Sequence, residues 1–456
     1  MSTPHAPGSA HTNAALVWLS LALVAALALT CASGQRPLAP REASSASPHA
    51  AAVPKQIEEA STPRGQQPVS VSELAQRAAN GPLEHSESGS ALVALPRFFQ
   101  ALRELETKRR NRPVRLAWLG DSHTAADFWT DEVRAQLQAR FGNAGPGFFH
   151  VGLKTYRHGG LRFEQTGSWS REPSPPSLRS RSGDGMFGLG GIRTFAHSAG
   201  ARFEVSPEPN PTLGSAKWSV RVRLAPTDAV ELEAGEERYI LRGTPRDEVQ
   251  EQVLAHTPSV SLKIRVLNGT PRFLGGTLEA SVPGVILDTL GVDGARVETA
   301  LAWDEAAWKR ELVEREPSLL VLAYGTNEVF DNLAPRAYAE QYARLVQRAR
   351  AASPGLDCLI IGLPDALTPE GQPHPRVPEI GKVQEEAAKR LGCAFFDARA
   401  AMQREGGFLG WLAASPKLAK ADGIHLTISG YHLLGARTAE ALLAGYEQFL
   451  NALEAH

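Results

Sequence analysis

Strand–helix alternation occurs twice in this sequence, and the long stretch between the two occurrences follows a different rule. Up to about residue 155, and again from Gly284, short apolar runs alternate with segments of helical spacing. Val114–Leu119 and Ser318–Ala323 are nearly continuous apolar runs, as expected of strands buried on both faces of a parallel sheet. In between, Trp218–Leu224, Val230–Glu233, Arg238–Arg242, Val260–Leu267 and Thr277–Val282 alternate apolar and polar residues between closely spaced turns. That period of two indicates an antiparallel sandwich or barrel. A parallel sheet that starts, is interrupted and resumes accounts for the order. The expectation is an α/β fold formed by 71–155 and 285–456, with an all-β sandwich insert at 156–284.

Within the α/β parts, apolar spacing predicts helices at Ala91–Lys108, Thr124–Arg140, Trp303–Arg315, Pro335–Ala352, Val377–Leu391 and Ser429–Leu453. A further short helix is expected at Val71–Asn80, and strands at Val285–Thr289, Cys358–Gly362 and Cys393–Asp397.

The amino terminus reads as an export signal. Ala14–Thr30 is almost wholly apolar and ends at Cys31, a length that suits a signal-peptide core or a tilted anchor. Ala28-Leu29-Thr30-Cys31 resembles the bacterial lipobox, which makes Cys31 the candidate lipidation site within a leader or anchor spanning 1–31. Residues 32–70 are rich in Ala, Ser and Pro and read as a flexible tether. Both readings of the leader put the rest of the chain outside the cytoplasm, on a membrane tether or in the periplasm.

Charge excludes one class of partner. With 48 basic and 49 acidic residues, nothing favours nucleic acid. Three cysteines cannot build a disulfide framework, and none has metal-ligand spacing, so no metal and no cofactor is expected. Cys358 and Cys393 lie in apolar runs and read as buried free thiols, with one disulfide open to an oxidising compartment.

Four polar clusters stand where strands end: Gly120-Asp121-Ser122, Gly291-Val292-Asp293-Gly294, Gly325-Thr326-Asn327 and Asp422-Gly423-Ile424-His425. Each also has a structural reading. Asp121 and Ser122 are favoured helix caps, Gly291 and Gly294 fit turns, and Asn327 fits a cap or an Asx turn. Asp422-Gly423 is a common turn pair, and His425 fits a surface histidine. In open α/β sheets, however, the carboxyl ends of strands are where ligands bind.

In this order the clusters resemble the four blocks of the SGNH (GDSL-type) hydrolases. Gly120-Asp121-Ser122 matches the serine block, Gly294 the glycine block, Gly325-Thr326-Asn327 the asparagine block and Asp422–His425 the terminal Asp-x-x-His block. The phrases GDSHTAADFWT, LQARFGNAGPGF, PGVILDTLGVDGA and DGIHLTISGYHLLG resemble the branch of bacterial envelope esterases that remove O-acetyl groups from peptidoglycan. That branch carries a β-sandwich similar to a carbohydrate-binding module in the same place. The resemblance implies a three-layer α/β/α sandwich with a flavodoxin-like parallel sheet. From the residues alone, the insert reads equally as a sugar-binding module or as a lid or spacer.

The resemblance also implies roles. Ser122 is the nucleophile, His425 its general base and Asp422 the residue that orients and charge-balances the imidazole. The backbone N–H groups of Ser122 and Gly294 and the side-chain amide of Asn327 form the oxyanion hole. Glycine at 294 leaves room for the acyl group. His123 and Asp127 match no triad position and read as supporting or surface residues. The implied reaction is hydrolysis of O-acetyl esters on envelope glycan, most directly peptidoglycan. An O-acetyltransferase with the same triad, or a silent glycan-binding lipoprotein, is the alternative.

Overall fold

The computed structural model describes residues 95–173, 183–208, 215–246, 248–256 and 260–455. The leader, Cys31, the tether and the short helix expected at Val71–Asn80 lie outside the described residues. No described helix is long and apolar enough to cross a membrane.

The chain enters through α1 (Pro96–Glu106), β1 (Val114–Gly120), α2 (Ser122–Ala125) and α3 (Phe128–Phe141). Antiparallel strands follow: β2 (Gly147–Phe149), β3 (Leu161–Thr166), β4 (Trp169–Glu172), β5 (Arg193–Ala196), β6 (Arg202–Pro207), β7 (Ala216–Arg223), β8 (Ala229–Ala234), β9 (Glu237–Arg242), β10 (Val249–His256), β11 (Leu262–Asn268) and β12 (Arg272–Ala280). The α/β pattern then resumes with β13 (Val285–Gly291), α4 (Val297–Ala302), α5 (Glu305–Arg315), β14 (Leu319–Ala323), α6 (Pro335–Ala352) and β15 (Asp357–Ile361). It ends with α7 (Arg376–Leu391), β16 (Ala394–Phe396), α8 (Ala398–Gln403), α9 (Gly407–Ala413) and α10 (Ile428–Glu454).

The parallel sheet has the order β13-β1-β14-β15-β16. Numbered by their sequence order within this sheet, the strands run 2-1-3-4-5, the flavodoxin-like arrangement whose switch point lies beside the first strand. Register brings the ends level: Gly120 pairs with Gly291 on one side and Ala323 on the other. The segments after β1, β13 and β14 therefore leave the sheet side by side.

Alternation along β1 divides the core. Val114, Leu116 and Trp118 face a cluster built with α1, α3 and α10, including Phe99, Trp129 and Tyr446. Ala117 and Leu119 face the opposite cluster, with Trp308, Tyr338 and Val383 from α5, α6 and α7. Both layers are buried, which is why β1, β13 and β14 can be apolar at nearly every position.

The antiparallel part forms two sheets. One has the path β10-β7-β12-β5-β4, with β2 paired to β12; the other runs β3-β6-β11-β8-β9. Their inward residues, among them Trp218, Val220, Phe203, Ile264 and Leu278, form a third core. This is the expected all-β insert. It also draws on β2, a three-residue strand ahead of residue 156, too short to show alternation.

Two local expectations are corrected. The helix read as continuous over Thr124–Arg140 is broken, because Asp127 adopts φ 51° between α2 and α3. Cys358 and Cys393 are not free thiols but a disulfide, with Cα atoms 4.7 Å apart. Parallel pairing of β15 and β16 brings them together at the amino end of the sheet: Leu359 pairs with Ala394, and each cysteine directly precedes its partner in that pair.

Candidate active site

The serine block is shaped by close packing. Asp121 caps α2 by accepting the N–H of His123 at 3.0 Å. The first turn of α2 lies directly over the strand ends. A Cβ on Gly120 would fall 2.0 Å from Thr124 Oγ1, and one on Gly291 would fall 2.2 Å from the Ala125 nitrogen. Glycine at the ends of β1 and β13 is thus what lets Ser122 sit on the sheet edge. Burial pushes the Asp121 carboxyl up to about 7, against the His123 N–H that favours its charge.

The terminal block reaches Ser122 through the loop before α10. His425 Nε2 lies 3.0 Å from Ser122 Oγ, and its Nδ1 lies 2.9 Å from Asp422 Oδ2. The other oxygen, Oδ1, accepts the N–H groups of Ile424 at 3.0 Å and His425 at 2.8 Å. Partial burial would raise this carboxyl, but those two N–H groups and the imidazole outweigh it and hold it below its ordinary value. An ionised carboxylate only accepts, so Nδ1 carries the imidazole proton and Nε2 is free to accept from the serine hydroxyl.

Gly294 and Asn327 are fastened to one another. Arg296 donates to the Gly294 carbonyl at 3.0 Å and to the Asn327 carbonyl at 3.3 Å, while pairing with Asp331 at 2.6 Å. Asn327 Nδ2 donates to the Ala295 carbonyl at 2.9 Å, which leaves its second amide hydrogen uncommitted by that bond. Gly294 has φ 77°, so its backbone already favours glycine; that reason adds to the room it leaves for an acyl group. No described backbone carbonyl takes the Gly294 N–H, and the Ser122 N–H, at the first position of α2, has no intrahelical acceptor.

Three buried residues complete the surroundings. Glu328, fully buried, accepts from Val297 N at 3.0 Å and Gly325 N at 3.1 Å, tying the asparagine block to α4. Burial, abetted by Asp121, pushes its carboxyl up to about 8. His123 is also buried, not a surface residue: Tyr431 Oη lies 3.0 Å from its Nδ1, and its ring centroid is 5.4 Å from that of His425. Burial first, and the neighbouring His425 second, lower its pKa to about 3, so it stays neutral beside the site.

Asp127, the third, is a buried hub. Its Oδ1 accepts from Arg134 at 2.7 Å, Thr130 at 2.5 Å and Thr289 at 2.6 Å, and its Oδ2 from the Gly159 N–H at 2.6 Å. The residue thereby ties the turn after Ser122 to β13 and to the loop before β3. In the sequence, an Asp and an Arg seven positions apart on one helical stretch were the visible trace of this network. Thr289 and Gly159 are too remote in the chain to be foreseen.

Beside Gly294 a groove of about 560 Å³ opens between the strand ends and the antiparallel part. Ala125, Asp293, Gly294, Lys154, Trp169 and Arg171 line it. Among the described residues no group of His, Cys, Asp and Glu has the arrangement of a metal site.

The arrangement is that of an activated serine at the carboxyl edge of a parallel sheet. The model of the GDSL-like lipase/acylhydrolase family matches residues 258–433. This part of the chain is similar to that family. The match to an acylhydrolase family supports a carboxylic ester hydrolase, and the matched span holds the glycine, asparagine and histidine blocks. It omits Ser122, which the insert separates from the other blocks in sequence and the sheet brings back in space.

The GDSL-like hydrolase fold, insert included, is shared with a solved peptidoglycan O-acetylesterase at 22% identity, covering 78% of this chain and 96% of that one, with a TM-score of 0.65. A lipase/acylhydrolase from Enterococcus faecalis aligns over 35% of this chain and 76% of its own, at 22% identity and a TM-score of 0.29. Among curated proteins no sequence matches.

Proposed function

We propose that the protein is a serine esterase that removes O-acetyl groups from bacterial envelope glycan, most directly peptidoglycan. The observation that carries this reading is the continuous chain Ser122–His425–Asp422, with contacts of 3.0 and 2.9 Å, at the edge where Gly294 and Asn327 also stand. His425 takes the hydroxyl proton as Ser122 attacks the acetyl carbon. The developing oxyanion is met by the N–H groups of Ser122 and Gly294 and by the free amide hydrogen of Asn327. His425 then gives its proton to the departing sugar oxygen. Water, activated by the same imidazole, releases acetate and restores Ser122. Asp422 stays ionised and balances the imidazolium.

Two features support the glycan substrate. The groove beside Gly294 is lined by both the α/β part and the antiparallel part, so a sugar chain bound there touches the insert. The protein whose fold is shared over most of both chains is itself described as a peptidoglycan O-acetylesterase. The Cys358–Cys393 disulfide supports an extracytoplasmic location, since such bonds persist in oxidising compartments. We take 1–31 as the export signal or anchor, with Cys31 as its lipidation site, and 32–70 as the tether.

The test is acetate release from purified O-acetylated peptidoglycan, with acetyl groups on the glycan counted in parallel. The account expects stoichiometric loss of glycan acetyl as acetate appears. A gain of glycan acetyl from an added donor, with little free acetate, would point instead to transfer.

A further inference from the structure

The groove beside Gly294 holds an arginine that its neighbours leave unused. Arg171 lies on β4, half-buried, and lines the groove together with Trp169. Most buried or half-buried arginines here are committed: Arg134 to Asp127, Arg193 to Glu172, Arg296 to Asp331 and Arg315 to Asp288. The Arg171 side chain has no ion pair or hydrogen bond among the described residues; its backbone lies in the β4–β5 ladder opposite Thr194. Asp293 faces it closely enough to favour its charge, while burial, the larger effect, lowers its pKa. A guanidinium that has given up part of its hydration without a carboxylate partner gains most from an anionic ligand.

The groove also limits what that anion can be. Its charged lining residues are Lys154, Arg171 and Asp293, one net positive charge, which matches a monoanion better than a phosphate dianion. Trp169 packs over Gly152 with its indole N–H spent on the Thr166 carbonyl, and its partly exposed ring offers a flat apolar surface beside Arg171. A sugar ring on that surface and a carboxylate on the guanidinium fill both features at once.

We propose that Arg171 is a specificity-determining residue, whose guanidinium receives a carboxylate carried by the sugar chain that bears the ester. The inference rests on the glycan-esterase reading and extends it: the preferred substrate is an acidic glycan. Neither the nucleophile nor the oxyanion donors depend on Arg171, so small neutral esters are cleaved without it.

The experiment compares an O-acetylated disaccharide ending in muramic acid with the same compound whose carboxylate is capped as a primary amide. Para-nitrophenyl acetate serves as the small neutral ester. The wild-type protein should prefer the acid by roughly tenfold in kcat/KM at low salt, mainly through KM, the size of one charge-assisted hydrogen bond. Arg171→Gln should bring that ratio to about one and leave para-nitrophenyl acetate turnover unchanged, and Arg171→Lys should retain part of the preference. An Arg171→Gln variant that still prefers the acid overturns the proposal. If the wild-type protein cleaves neither acetyl ester, the esterase reading fails on its own. Equilibrium binding of the two disaccharides then decides about Arg171: tighter binding of the acid that Arg171→Gln abolishes supports it, and equal binding of both overturns it.

Discussion

Ser122 and His425 are 303 positions apart in sequence, and their side chains meet at 3.0 Å. An entire antiparallel module and most of the parallel sheet are threaded between them. The contact forms because β1 lies inside the sheet, flanked by β13 and β14, while α10 packs on α3, the helix that follows the one carrying the serine.

Asn327 tests the oxyanion assignment. One of its amide hydrogens is fixed on the Ala295 carbonyl, which aims the other. Asn327→Ala should cost about 2.7–4 kcal/mol in the barrier, with KM little changed. Steady-state kinetics on an acetyl ester measures this, and a loss confined to KM would contradict an oxyanion role.

Asp121 gives a pH signature in stability. Its carboxyl rises from an ordinary 3.8 to about 7 on folding because it is buried, so the folded state keeps a proton that the unfolded chain releases. The stability linked to this proton is full below about pH 4 and is lost as pH rises through 7. Asp121→Asn keeps an acceptor for the His123 N–H and removes the titration. Relative to wild type, its Tm should therefore be higher at pH 8 than at pH 4. A difference independent of pH would contradict the assignment.

The Asp127–Arg134 pair has the opposite sign. Burial opposes the Asp127 charge, but Arg134, His158 and the hydrogen bonds to it prevail and hold the carboxyl well below its ordinary value. The stability it contributes is present above the unfolded value near 4 and is lost as pH falls below it. Asp127→Asn leaves the buried Arg134 with Asp131 as its remaining carboxylate partner and should cost up to about 3 kcal/mol at neutral pH. Urea midpoints measure it, and the gap to wild type should narrow toward pH 3.

The disulfide should matter for stability and not for chemistry. Cys358 and Cys393 are 35 residues apart, and closing a loop of that length stabilises by about 4 kcal/mol in the chain-entropy account. They lie at the amino end of the sheet, opposite Ser122. Cys358→Ser with Cys393→Ser should lower the urea midpoint while leaving kcat on a small ester unchanged at temperatures where the variant is folded.

The parts of this molecule legible in its sequence are those governed by local period and by ordered motifs. Continuous apolar runs announced β1, β13 and β14, because both faces of the sheet are covered. Alternation announced β7, β8 and β11, because one face of each sheet packs inward. The same reasoning failed where long-range geometry decides. The kink at Asp127 is imposed by partners on β13 and on the loop at Gly159, and the disulfide depends on which strands become neighbours. α8 and α9 are too short for their period to stand out. Arg296, which ties Gly294 to Asn327, has no motif of its own, since its role exists only once β13 and β14 flank β1.

The central claim is that Ser122 is the nucleophile of an acetyl esterase. The most direct measurement is acetate release from O-acetylated peptidoglycan by the wild-type protein and by Ser122→Ala, with circular dichroism confirming that both are folded. The account predicts release by the wild-type protein and a rate indistinguishable from the uncatalysed one for Ser122→Ala. Undiminished release by a folded Ser122→Ala protein would contradict it.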